Sequence, residues 1–247
     1  VMHDGAAFLV ENGVGKAYAE RFGRGGWRGL NVPHIQVHRF ASPELAETIN
    51  PLWVGGVENP EIREILLHLI DMGRIGECSD IVHTTALNPK ASNVERLAAI
   101  DALATLNDPR LRVIVNEILD KPGLWPEEVE GGAVLRLFPE HLAVKDLCTI
   151  LARVKRMKRR FGDQGWHLTR RLGEIDLDKA TLEALRDGLG DSISAGLRWE
   201  EPWPHFISDR SHLSNRLAAV GVRGLEAAVT GGWLRGTVLA LRMPHEA

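Results

Sequence analysis

A few short stretches carry residue types that could do chemistry. The first is Gly13-Val14-Gly15-Lys16, which follows the apolar run Phe8-Leu9-Val10 and precedes the helix-like AYAERF. Strand, glycine loop, lysine and helix is the order of a phosphate-binding loop. There, backbone amides surround the phosphates, the lysine reaches the outer ones and a following Ser or Thr hydroxyl holds Mg²⁺. Two parts of that device are missing. Val10 stands where the pattern G-x-x-x-x-G-K-[ST] needs its first glycine, and Ala17, after Lys16, has no hydroxyl. The segment is therefore read as a glycine-containing lead-in, and no cofactor is expected. His34, Gln36 and His38 alternate along HIQVHRF, as on one side of an extended segment. A metal site needs further ligands, and no neighbouring Cys, Asp or Glu supplies them, so a solvated edge is expected. Cys78 and Cys148 are too far apart for a zinc pattern and read as reduced core thiols. H-E-x-x-H, G-x-S-x-G and C-x-x-C do not occur. No catalytic residue is assigned, and the expectation is a protein that is not an enzyme.

Two other stretches suit binding better than catalysis. RVKRMKRRF places six basic residues between 153 and 160: Arg153, Lys155, Arg156, Lys158, Arg159 and Arg160, with Arg170 and Arg171 soon after. On a continuing helix, Arg153, Met157 and Arg160 would share one side, and Lys155, Lys158 and Arg159 another. Such a ridge can meet phosphates or an acidic protein patch. It can equally be a solvated face whose basic residues suit a helix C-terminus. RWEEPWPHF gathers Trp199, Trp203, His205 and Phe206 around Glu200 and Glu201. Trp with Pro suits a rigid packed plug, and an aromatic recognition loop is the other reading. The candidate partner-binding residues are the eight basic residues named above with Trp199 and Trp203.

Bulk properties narrow the setting. The chain has 247 residues, 44% hydrophobic and 26% charged, with a net charge of −3. That is an ordinary globular composition without a global basic field for nucleic acid. No apolar run is long enough to span a membrane. The opening VMHDGAAFLV lacks the basic start and cleavage site of a secretory signal, so a cytoplasmic location is expected. The first residue is Val and an apolar run follows almost at once, which suggests a piece of a longer polypeptide.

What must position these residues is a series of short amphipathic helices. Asn59-Pro60 offers an N-cap followed by proline, Ser92-Asn93-Val94-Glu95 has capping-box spacing, and Asp108-Pro109 repeats the first signal. Asp176 or Asp178 caps a later helix. Comparing the chain with itself reveals a period. Cys78, Leu111 and Val144 are spaced by 33, as are Ile81, Ile114 and Leu147, and Val82, Val115 and Cys148. Within each copy these positions fall on one helix face. In the partner helices, Arg63, Leu66, Leu69 and Ile70 map onto Arg96, Ala99, Ala102 and Leu103. The unit is helix, turn, helix, which buries its apolar face only by stacking. After residue 190 the prolines of RWEEPWPHF interrupt the helices, which resume at SNRLAAV, loosened by five glycines.

Residues 94–120, VERLAAIDALATLNDPRLRVIVNEILD, closely resemble a HEAT repeat. Residues 59–89 and 124–153 are weaker copies. The resemblance implies an all-α fold, a right-handed α-solenoid of HEAT-like helix pairs with helical capping elements at both ends. The implied divisions are a lead-in over 1–57, repeats over 58–190, and an aromatic loop with a helical cap over 191–247. RFASPELAETINPLW followed by EIREILLHLIDMGRIGECSDI is similar, more distantly, to the region after the ATPase core in bacterial STAND proteins of the NACHT type. In that family the repeats sense a partner and the ATPase oligomerises. The implied function is a binding or scaffold module, a sensor arm with a macromolecular partner, protein rather than nucleic acid, and a setting such as antiphage defence. The alternatives are an enzyme of the HEAT-like DNA glycosylase type, for which Trp125, Trp166 and Glu127 are the residues at hand, and a stand-alone structural adaptor.

One prediction follows from the broken phosphate loop. Titration of the chain with Mg·ATP is expected to give no binding that disappears in Lys16→Ala.

Overall fold

The structure, a computed structural model, describes residues 39–153, 164–200, 205–208, 210–228 and 230–242. Among them are eleven α-helices. After a short turn at Pro43–Leu45 come α1 (Ala46–Val54), α2 (Pro60–Gly73), α3 (Ser79–Leu87), α4 (Asn93–Thr105) and α5 (Leu111–Asp120). Next are α6 (Glu127–Leu137), α7 (Val144–Arg153), α8 (Gln164–Glu174) and α9 (Lys179–Ser194), then α10 (Ser214–Ala227) and α11 (Gly231–Arg242). The chain divides into two compact units, Val1–Glu117 and Ile118–Ala247, with the division inside α5. None of the described helices is long and apolar enough to cross a membrane.

The expected start signals operate. Asn59 Oδ1 accepts from the backbone N–H of Glu61 (2.9 Å) and Ile62 (3.4 Å) at the head of α2. At α4, Ser92 Oγ accepts from the Glu95 N–H (3.1 Å), while Glu95 Oε2 accepts from the Ser92 N–H (2.8 Å). Asp178, rather than Asp176, caps α9 by accepting from the Thr181 N–H (2.7 Å). Each replaces a backbone partner that a helix N-terminus lacks, an effect of about 1 kcal/mol. Asp108 works differently. Its Oδ1 accepts from the Arg110 N–H (2.9 Å), and its carboxylate also pairs with the Arg110 guanidinium (2.7 Å), which reaches Asp80 as well.

In the first unit, α4 packs against both α2 and α3. Helix α2 buries large side chains, Ile62, Leu66, Leu67, Leu69 and Ile70. Helix α4 adds the small residues Ala98, Ala99 and Ala102, fully or almost fully buried, beside the large Ile100 and Leu103. Small against large is what lets neighbouring helices approach closely. In the second unit α6 packs on α7 and α8, α7 on α9, and α8 on α10. Helix α9 also packs on α10 and α11, and α10 on α11.

Two features differ from the sequence expectation. The stretch read as an aromatic loop begins and ends in strand. β1 (Leu197–Glu200) pairs antiparallel with β2 (His205–Ser208), in the register Trp199 opposite Phe206. The short LRWE and HFIS runs use their backbone groups in a ladder. The helical fold thus carries a small hairpin.

The second difference concerns the terminal glycines, which tighten the packing rather than loosen it. A Cβ on Gly224 would lie 2.2 Å from the Trp233 ring, and one on Gly221 would lie 2.8 Å from Thr237 Oγ1. Helix α11 therefore sits directly on the backbone of α10. On its other side, a Cβ on Gly232 would lie 2.6 Å from Arg186 Nη1, and the Arg186 guanidinium lies 4.7 Å from the Trp233 ring centroid. A cation held over a buried indole adds to the apolar contact.

Gly224→Ala is expected to lower unfolding stability by about 1–3 kcal/mol, because the Trp233 ring has to move. Gly173→Ala in α8, where nothing lies within 4 Å, is the control and is expected to be neutral or stabilising. Urea unfolding of the two variants beside the parent chain checks both.

Candidate binding groove

In the second unit, α7 and α9 flank a groove of about 540 Å³. The two helices meet at one tight point. A Cβ on Gly188 of α9 would lie only 2.7 Å from Cys148 Sγ of α7. Val144, Cys148 and Ala152 on α7 face Ala184 and Gly188 on α9, giving an apolar floor. Lys145 and Thr149 from α7 and Ser192 from α9 add polar groups, and Arg153 and Arg210 add two guanidinium groups. Among the described residues that line it there is no Asp or Glu.

Both arginines are held by carbonyl groups. Arg153 Nη1 donates to the Leu119 carbonyl (2.8 Å) and Nη2 to that of Ile118 (3.0 Å), in the last turn of α5. Arg210 Nη1 donates to the Ser192 carbonyl (3.2 Å), in the last turn of α9. Lys145 is exposed, and its carbonyl accepts from Thr149 Oγ1 (2.8 Å), a bond within the helix. The acid electrostatically coupled to Arg153 is Glu130 of α6, 6% exposed. Burial pushes the Glu130 carboxyl up, the Arg153 guanidinium opposes the shift, and Glu127 reinforces it. Arg153 Nε and Glu130 Oε1 are buried without a hydrogen-bond partner among the described residues.

The residues singled out in the sequence fall into separate places. Arg153 borders the groove but spends its terminal nitrogens on α5. Arg170 donates to Glu174 Oε1 one turn along α8 (2.8 Å). Arg171 Nη2 donates to the Phe138 carbonyl at the end of α6 (3.0 Å). Trp199 lies in β1. Lys155, Arg156, Lys158, Arg159, Arg160 and Trp203 lie outside the described residues, as do Gly13, Gly15, Lys16, His34, Gln36 and His38. Trp125, named for the glycosylase alternative, is 6% exposed and belongs to the core, while Glu127 is exposed. Sequence reading missed Lys145, Thr149 and Arg210. The first two stand one turn apart on the outward side of α7, a spacing visible in the sequence. Arg210 follows the hairpin, and nothing local announces that it folds back on α9.

Both cysteines are free and buried. Burial, with Asp191 adding, pushes the Cys148 thiol up to about 11; burial, with Glu77 adding, does the same for Cys78. Neither is an activated nucleophile. Among the described residues no group of three or more His, Cys, Asp or Glu could hold a metal. Comparison with known proteins finds no matching family model, no matching curated protein and no matching solved structure.

The native chain is expected to resist thiol alkylation at neutral pH and to become reactive once unfolded in urea. Folding holds both thiols protonated. Their contribution to stability is thus present below the ordinary thiol value of 9.0 and is lost as pH rises towards about 11. Alkylation rates against pH, read by mass spectrometry, check the sign.

Proposed function

We propose that this chain is a helical-repeat binding module, a right-handed α-solenoid of HEAT-like pairs that scaffolds or senses a protein partner and performs no catalysis. The observation that carries this reading is the groove between α7 and α9, the second helices of consecutive pairs. The order of packing supports it. First helices meet first helices (α2 with α4, α6 with α8, α8 with α10), and second helices meet second helices (α7 with α9, α9 with α11). In a solenoid each pair touches only its neighbours, and one row of helices forms a continuous inner surface on which partners bind. The α11 surface is also in keeping with stacked pairs. Leu234, Val238 and Leu241 are 49%, 47% and 62% exposed at helical spacing, the kind of apolar face that such pairs cover in one another. The sensor arm of a bacterial STAND ATPase is the parent setting in this proposal. It rests on the sequence resemblance of the α1–α3 region.

A protein partner is preferred to nucleic acid because a duplex-binding surface needs several rows of cations to displace counterions. Arg153 and Arg171 are instead committed to carbonyl groups of neighbouring helices. Duplex DNA in a mobility-shift assay is expected to show no salt-dependent complex that the triple change Arg156, Lys158 and Arg159→Ala removes. A complex that vanished in that variant would replace the protein partner with nucleic acid.

A further inference from the structure

We infer that the outward face of α11 receives an amphipathic helix of a protein partner, one that sets an acidic side chain beside its apolar stripe. This names a kind of partner and a second surface, and it rests on the binding-module reading. Helix α11 packs on α10 and α9. Its packed side carries Trp233 and Ala240, both buried, and Gly236, where a Cβ would lie 3.1 Å from Arg186 Cγ. Leu234, Val238 and Leu241 lie on the other side, each about half exposed or more. They stand at i, i+4 and i+7, a β-branched residue between two leucines, which is the spacing and composition of a two-helix seam. Single exposed apolar residues are ordinary, whereas an apolar stripe along one helix face marks an interaction surface.

Charge decides which helix. Arg235, next to the stripe, is exposed and forms no ion pair among the described residues. Its guanidinium folds back over the first turn of α11, where a Cβ on Gly231 would lie 3.6 Å from Nη1. A cation at that end opposes the helix dipole, so α11 itself gains nothing from it. The helix sequence, GGWLRGTVLALR, holds no Asp or Glu to answer the charge. Pairing α11 with α11 of a second copy would bring another arginine and no acid. Three half-exposed side chains also fall far short of the roughly 800 Å² per partner of a stable dimer. A partner helix with Leu or Ile at the matching spacing and Glu on its flank covers the stripe and pairs with Arg235 together.

The experiment uses the full chain and fluorescence anisotropy with three labelled helical peptides of equal length. One carries Leu at i, i+4 and i+7 with flanking Glu, one replaces every Glu by Gln, and one replaces every Glu by Lys. The Glu peptide is expected to bind several-fold more tightly than the Gln peptide, and more weakly as salt rises. Arg235→Glu should reverse the order, so that the Lys peptide binds and the Glu peptide does not. Val238→Gln combined with Leu241→Gln, both at exposed sites, should abolish binding. Circular dichroism and thermal unfolding confirm that the variants remain folded. Equal binding of the Glu and Gln peptides, lost in the double variant, would overturn the acidic partner. Binding that persists in the double variant would overturn the α11 surface while leaving the binding-module reading standing. Failure of every peptide, or a concentration-dependent dimer that the double variant dissolves, would overturn the inference outright. The duplex assay tests the wider reading independently of these outcomes.

Discussion

Helix ends in this chain are closed by arginines that arrive from other segments. An α-helix leaves its last carbonyl groups without partners, and a cation there also answers the negative end of the dipole. Arg96 of α4 donates to Ala86 in α3, Arg153 of α7 to Ile118 and Leu119 in α5, and Arg171 of α8 to Phe138 after α6. Arg210 does the same for Ser192 in α9, and Arg223 of α10 for Leu172 in α8. Among the described residues no helix exceeds the 16 residues of α9. Helices this short are marginal alone and persist through what they pack against. Each clamp ties the end of one short helix to a specific neighbour, so it fixes an angle and a register that apolar contact leaves loose.

The clamps change the meaning of the basic residues. Counting Lys and Arg along the sequence suggests a ridge built to attract anions. In the fold, an arginine's partner decides what its charge can do. Arg170, bound to Glu174, is neutralised at its own surface. Arg153 and Arg210 donate to backbone carbonyl oxygens, which fix their position. Arg63 and Glu95 show a third outcome. Arg63 pairs with Glu95 and also donates to the Val57 carbonyl (2.8 Å). Burial alone would raise the Glu95 carboxyl, but hydrogen bonds from Arg63 and Ser92 hold it below the usual value. Capping box, ion pair and inter-helix contact thus converge on a single carboxylate.

Local chemistry made much of the helical framework legible. Asn59, Ser92 and Asp178 are caps whose partners lie within three residues, so their pattern survives in the linear chain. The period of 33 was visible because the same position is buried in each copy: Val82, Val115 and Cys148 are all buried. It reappears in the clamps, with Arg153 and Leu119 separated by 34 residues and Arg171 and Phe138 by 33. Illegible were the features decided by distant partners. Gly221 and Gly224 read as helix-weakening because a sequence shows the missing side chain and not the Thr237 or Trp233 that occupies the space. The hairpin was hidden by its length: four residues per strand give too little alternation to stand out.

The groove follows from the same rule. Its two walls are held at one tight point, where Gly188 admits the Cys148 sulfur. A larger residue at 188 would spread α7 from α9, and a smaller one at 148 would leave a void, so the width beside the contact is set by that pair. Its charge is set elsewhere, by the need to close α5 and α9 with Arg153 and Arg210. A cleft with an apolar floor and a cationic rim therefore arises from packing and capping, before any partner is considered. What marks it out from an incidental hollow is Lys145, because none of the described capping or packing contacts calls for a cation there.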